Sequence, residues 1–331
     1  MRGTLFMGLA LALAVMLAGC GANGQSNGTA AADKPANGNA AAPENGQART
    51  AGEKAAKNYT DAKGREVEVP VDPRRIVYVG SDPGDLLALG VQPLGASLSV
   101  IASQVAYPDL LAGIEDVGYP ANTEKVLALA PDLILFSDWD EKALEPLAKI
   151  APTVVMGGDG TFERMGQFAE LLGRQQEAAA YKADYDAKAD QVKERLKDRI
   201  KPGTTATVLL QLGKDLYVMG HQGLSVSLYD MLDLKPSGGV KQLIDKDERF
   251  SLVSEEVLPS FAGDELYVLT DEAEETATAT KALLGSRVWS TIPAVRNGRV
   301  TVMNSRWNFD DPVTRERLLD ELGKVMAEKA E

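Results

Sequence analysis

The stretch from Gln175 to Ile200 constrains this chain most. Ala178, Tyr181, Tyr185, Ala189, Val192, Leu196 and Ile200 recur at steps of three and four, so they share one face of a helix. The interior has neither Pro nor Gly and is filled by strong helix formers. At 1.5 Å per residue such a helix is roughly 39 Å long. Pro202-Gly203 stops it. Strand-and-helix sequence lies on both sides with the same order of parts, which predicts two lobes joined by a strut.

Before the strut, Tyr59–Pro70 alternates around Lys63-Gly64 and predicts a hairpin. Predicted strands follow at Ile76–Val79, Val91–Ala96, Leu133–Phe136 and Thr153–Met156. Helices are predicted at Asp85–Leu89, Glu124–Ala130 with Asn122-Thr123 as cap, Glu141–Ile150 and Phe162–Leu172. Ser97–Tyr107 reads as a loop. After the strut, strands are predicted at Ala206–Leu212, Leu216–Met219, Leu266–Thr270 and Val300–Met303. The corresponding helices are Leu224–Leu232, Glu255–Phe261, Ala277–Leu284 and Pro312–Lys329, the last capped by Asp311. Strands alternating with helices mean α/β lobes with mainly parallel sheets. The halves also match locally. Glu124 and Glu256 each precede an acid by eight positions, Asp132 and Asp264, and ALGVQPLG parallels MLDLKPSG.

A net charge of −13 argues against nucleic acid as a partner. One Cys rules out an intrachain disulfide, and one His removes His-rich metal sites. No phosphate-binding glycine loop, dinucleotide fingerprint or serine nucleophile elbow is present, so no cofactor is expected. An exported hydrolase with His221 as base, and a surface lipoprotein without any ligand, are the readings from other classes.

Arg2 and the apolar run Leu5–Ala18 read as an export signal too short to span a bilayer. The run ends Leu17-Ala18-Gly19-Cys20, which resembles the lipobox of bacterial lipoproteins. The resemblance implies cleavage before Cys20 and a lipid on its sulfur, which would hold the protein outside the cytoplasm on a membrane of Gram-positive type. Gly21–Asn58 is poor in large apolar residues and reads as a tether reaching roughly 35 Å. The expected organisation is signal peptide 1–19, tether 20–58, first lobe 59–173, connecting helix 174–201 and second lobe 202–331.

Six pieces in order, YTDAKGREVEVPVDPRRIVYVG, LLALGVQPLGA, NTEKVLALAPDLILFS, KIAPTVV, FAELLGRQQEAAAY and VWSTIPAVRNGRVTVM, resemble the substrate-binding lipoproteins of iron-siderophore ABC importers, a group that includes cobalamin and haem binders. The resemblance implies two Rossmann-like lobes joined by one rigid helix, a monomer without enzymatic activity, and a ligand held between the lobes. It implies that Glu124 and Glu256 dock on arginines of the permease, with Glu255 the neighbour of the second. The alternative for each acid is compensation of a helix dipole, worth about 0.3–1 kcal/mol.

Ligand residues are expected on loops at strand carboxyl ends. These include Ser81, Asp82 and Ser99, then Trp139, and Phe162 where the family often has Trp. In the second half they are Tyr217, His221, Gln222, Arg306 and Trp307. The aromatic groups would pack on the ligand frame, while Arg306 and His221 would meet its oxygens. Core packing is the alternative for Trp139 and Trp307, and plain solvation for His221. Trp289 is expected in the core. The first-half loops carry Asp82, Asp138, Asp140 and Asp159 and scarcely any Lys or Arg. Charge repulsion therefore disfavours a trianionic catecholate and favours a ferric hydroxamate.

Overall fold

A computed structural model describes residues 55–101, 104–137, 140–158 and 160–327. The signal run, Cys20, most of the tether, and Asp138, Trp139 and Asp159 lie outside the described residues. The hairpin forms from β1 (Ala56–Thr60) and β2 (Glu66–Pro70), paired antiparallel, with Gly64 turning the chain at φ +72°. β1 starts inside the stretch read as tether, because Lys57 and Tyr59 face Val69 and Val67 across the ladder.

The first lobe runs β3 (Ile76–Val79), α1 (Gly84–Ala88), β4 (Gly95–Ala96), α2 (Leu98–Ile101), β5 (Glu115–Asp116), α3 (Thr123–Ala128), β6 (Leu133–Phe136), α4 (Leu144–Ala148), β7 (Thr153–Val155) and α5 (Thr161–Leu172). Its parallel sheet has the order β5-β4-β3-β6-β7. β3 and β6 are buried along their whole length, as parallel strands covered on both faces must be. Asn122 caps α3 by accepting from the Glu124 and Lys125 amides at 2.9 and 3.1 Å. Helix α2 occupies part of the stretch read as a loop. Asp116 explains it, because its Oδ1 accepts from the amides of Leu98 and Ser99, both at 3.0 Å.

The strut is α6 (Gln175–Leu196), about 33 Å long. It stops four residues before the predicted end, and Ile200 is still half-buried against the second lobe. The expected stripe faces inward. Ala178 joins the core of the first lobe, while Tyr185, Ala189, Val192 and Leu196 join that of the second. One helix face thus crosses from one core to the other.

The second lobe runs β8 (Thr205–Leu212), β9 (Asp215–Met219), α7 (Leu224–Val226, continued by a π-helical turn to Met231), β10 (Lys235–Pro236), α8 (Gly238–Ile244), β11 (Phe250–Leu252), α9 (Leu258–Phe261), β12 (Glu265–Thr270), α10 (Glu274–Leu284), α11 (Arg287–Thr291), α12 (Pro293–Arg296), β13 (Val300–Asn304) and α13 (Pro312–Ala327). Its sheet is mixed, in the order β11-β9-β8-β12-β13, with β10 beside the start of β8. The halves therefore do not repeat the same order of parts. The antiparallel strands β9 and β11 are inserted, and the tight turn at Gly213 (φ +55°) after β8 sends the chain back along it.

The parts shared by sequence are nonetheless equivalent in space. The Asp132 carboxylate accepts from the Arg74 and Arg75 amides ahead of β3, and Asp264 accepts from the Thr205 amide at the start of β8. Gly90 and Asp233, at matching places in the two shared octets, both turn left-handed, at φ +69° and +59°. Trp289 is core, as expected.

A second connection accompanies the strut. Val313 of α13 packs into the core of the first lobe, and Leu318, Leu319 and Leu322 of the same helix pack into the core of the second. Arg317 adds hydrogen bonds to Asp109 at 2.5 and 2.7 Å.

Candidate functional site

A cleft of about 800 Å³ lies between the lobes. From the first lobe it is lined by Ser81 and Asp82 after β3, Gln104, Ser137 after β6, Gly157 and Gly158 after β7, and Arg164 of α5. The second lobe contributes Leu210 and Leu212 of β8, His221 and Gln222, Ile244, Asp247–Arg249, and Ser305 with Asn308–Asp310 after β13. Most of these sit at strand carboxyl ends, where open α/β sheets leave a crevice.

Close backbone approach shapes the cleft floor. A Cβ on Gly84 would meet the Asp311 carboxylate at 1.9 Å, and one on Gly223, at φ +59°, would meet Asn308 at 2.4 Å. Gly84 thus lets α1 of the first lobe lie against the start of α13.

The floor holds a buried charge network. Arg164 Nε donates to Asp85 Oδ2 at 2.6 Å, and its Nη2 donates to the Asp310 carbonyl at 2.6 Å. Burial pushes the Asp85 carboxyl well above the usual carboxylate range, against the pull of the Arg164 charge. Burial opposes the Arg164 charge as well, but the Asp85 and Asp82 carboxylates hold its guanidinium above its ordinary value. Asp311 caps α13, accepting from the Thr314 amide at 2.9 Å and hydroxyl at 2.7 Å. Burial, with Asp82 nearby, still pushes its carboxyl up to about 7.

At the second-lobe wall His221 Nε2 meets Asp230 Oδ1 at 3.1 Å, a hydrogen bond that raises the imidazole above its ordinary value. Ser225, four residues on, has its hydroxyl 2.8 Å from the carbonyls of Gly220 and Gln222. It staples its own loop. Among the described residues no group of three His, Cys, Asp or Glu side chains is placed to hold a metal ion.

Of the residues expected from sequence, the structure brings Ser81, Asp82, His221 and Gln222 together around the cleft. Others lie elsewhere. The Ser99 hydroxyl donates to Asp116, which orders the start of α2. Phe162 and Trp307 pack against the cores of both lobes, with the Phe162 ring 4.7 Å from that of Tyr185. Tyr217 stands edge-on to Phe250, and Arg306 turns back onto Asn304. Trp139 falls outside the described residues. Glu124 and Glu256 are both exposed, one on each lobe.

Sequence reasoning did not single out Arg164, Gln104, Ile244 or Asp247–Arg249. Arg164 reads as an ordinary polar position of an amphipathic helix. Its one signal is its place three residues into the first helix after a β-strand end, where a cation faces the cleft.

The sequence profile of the family described as "Periplasmic binding protein" (Peripla_BP_2) matches residues 76–307. The chain is 29% identical over 319 residues to the iron(3+)-hydroxamate-binding protein FhuD of Bacillus subtilis, covering 94% of this chain and 93% of that protein. It is 26% identical over 283 residues to the iron(3+)-hydroxamate-binding protein YxeB of the same organism, covering 83% and 86%. Among solved structures, the FhuD protein of S. pseudintermedius matches with TM-score 0.72 at 25% identity, covering 82% of this chain and 98% of that one. A FhuD fold-family protein of Bacillus subtilis, described as the binding-protein component of a Fep/Fec-like ferrichrome ABC transporter, matches with TM-score 0.71 at 28% identity over 82% and 100%.

Proposed function

Because the chain belongs to the periplasmic binding protein family, we propose that it is the membrane-tethered receptor of an ABC importer and that it carries a ferric hydroxamate siderophore in the interlobe cleft. The observation that carries this reading is the charge of the cleft. Asp82, Asp247, Glu248 and Asp310 line it against Arg164, Arg249 and His221. Arg164 is engaged by Asp85, His221 by Asp230 and Asp310 by Arg315 at 3.7 Å, which leaves Asp82, Asp247 and Glu248 against Arg249. Such a lining repels a trianionic complex and accepts a neutral or cationic one. The hydroxamate-binding relatives and the ferrichrome-transporter neighbour support the same ligand class. Iron arrives already chelated, so the protein needs no metal ligands of its own.

Cys20 is the proposed lipid anchor, and Glu124 and Glu256 the proposed contacts with the permease. Both acids are exposed, beside equivalent buried residues, Val126 and Leu258. The strut and α13 together fix the spacing of the lobes that carry them.

The test is a tryptophan-fluorescence titration of the tether-free protein with ferric hydroxamates, ferric catecholates, haem and cobalamin. Tight binding of a ferric hydroxamate with at least tenfold preference over the others is expected. Tight binding of a ferric tris-catecholate without response to hydroxamates overturns the reading, and a response to haem or cobalamin alone reassigns the ligand within the family.

A further inference from the structure

The cleft is walled unequally. Its first-lobe side is polar, with Ser81, Asp82, Ser137 and Arg164, while its second-lobe side sets Leu210, Leu212 and Ile244 beside the charged Asp247, Glu248 and Arg249. The apolar part of the second-lobe wall does not stop at the cleft. In the antiparallel register Leu210 of β8 stands opposite Tyr217 of β9, and Tyr217 stands opposite Leu252 of β11. Residues directly opposite in such a ladder share one face of the sheet. Phe250, two residues before Leu252 and on the same face, sets its ring edge-on to Tyr217 at 5.8 Å. The strip from Leu210 to Leu252 spans two strand spacings, about 10 Å.

Its outer members are bare. Phe250 is 52% exposed and Leu252 60%. Single exposed apolar residues are ordinary, but Phe250 and Leu252 lie together on the edge strand β11, where a hydrophobic strand invites unwanted pairing. Leu212 and Leu210 line the cleft while Arg249, next to Phe250, lines it too. The strip thus meets the ligand site at Leu210, and Tyr217, Leu252 and Phe250 carry it on beyond the cleft lining.

We propose that this strip receives an apolar arm of the cleft's own ligand, so that the preferred ligand is an amphiphilic ferric hydroxamate with an acyl or comparable aliphatic chain. This rests on the hydroxamate reading above. The polar floor meets the iron-chelating head, and the chain leaves along Leu210 and Tyr217 to lie over Leu252 and Phe250. Burial of chain methylenes there removes apolar surface on both partners from water.

The test uses linear ferric trihydroxamates that differ only in an acetyl, octanoyl or dodecanoyl arm, titrated into wild type and the Phe250→Ser/Leu252→Ser double variant. Both positions are exposed, so the fold tolerates the change, and light scattering checks that each protein stays in one oligomeric state. In wild type the octanoyl complex is expected to bind at least tenfold tighter than the acetyl complex. In the double variant that ratio is expected to fall below threefold. Equal affinity for all arms in wild type overturns the inference while leaving the hydroxamate reading standing. So does a ratio that the double variant does not change. Failure of every complex to bind overturns the hydroxamate reading and the inference with it. Loss of self-association in the double variant without change in the ratio assigns the strip to a second copy of the chain instead.

Discussion

Arg317 of the last helix grips Asp109 of the first lobe through both terminal nitrogens, at 2.5 and 2.7 Å, and also donates to the Ala106 carbonyl at 3.1 Å. The chain crosses between lobes at the strut, yet α13 returns from the second lobe to clamp the first. Ligand addition is therefore expected to leave the radius of gyration in small-angle scattering without resolvable change. Arg317→Ala removes a partly exposed pair, worth about 1 kcal/mol or less in stability. Its expected signature is faster hydrogen exchange at Asp109–Leu111, and large closure of the wild type on binding ligand would refute the clamp.

Removing the Arg164 side chain leaves the buried Asp85 carboxylate without its cation. Arg164→Met is expected to lower unfolding stability by about 3–5 kcal/mol, the range for breaking one side of a buried pair. The double variant Arg164→Met/Asp85→Leu is expected to recover part of that loss in a denaturant melt. Additive losses would mean that the two side chains do not act as a pair.

Asp311 gives a pH dependence with a definite sign. Its folded-state value, about 7, lies above the ordinary carboxylate value, so its contribution to stability is full below about pH 4 and is lost as pH rises through 7. Asp85 is shifted the same way. Denaturant midpoints should therefore fall from pH 5 to pH 8. Asp311→Asn should flatten that fall by up to about 4 kcal/mol, at roughly 1.4 kcal/mol per unit. An Asn variant with the wild-type slope would contradict the assignment.

The strut should fail as a unit. Asp190 is exposed on its outer face, so Asp190→Pro alters the helix without opening either core. A loss of about 3 kcal/mol is expected, with both lobes melting together. Two separate transitions would show that the lobes are stable without the helix.

The docking acids are tested by charge reversal. Glu124→Lys/Glu256→Lys is expected to abolish uptake in cells while ligand affinity in titration stays within twofold. Uptake at the wild-type rate would reject their role.

Much of the frame is legible in the chain itself. The strut, the wholly buried strands Ile76–Val79 and Leu133–Phe136, the Asn122 cap and the paired acids Asp132 and Asp264 each leave a local mark. Helical period, an apolar run and a capping side chain depend on neighbours within a few residues, so sequence alone determines them. The cleft is another matter. Arg164 meets Asp85 and Asp310, which lie 79 and 146 residues away, and Gly84 matters only because Asp311 comes to rest on it. Ser99, Phe162, Tyr217, Arg306 and Trp307 sit on the right loops or beside them, yet their side chains turn to Asp116, Tyr185, Phe250, Asn304 and the two cores. The sequence by itself determined two α/β lobes and the long helix between them, while the bridging role of α13 came only from the structure. Only the tertiary structure decided which side chains face the cleft, because that depends on how segments far apart in the chain pack, and no local period records it.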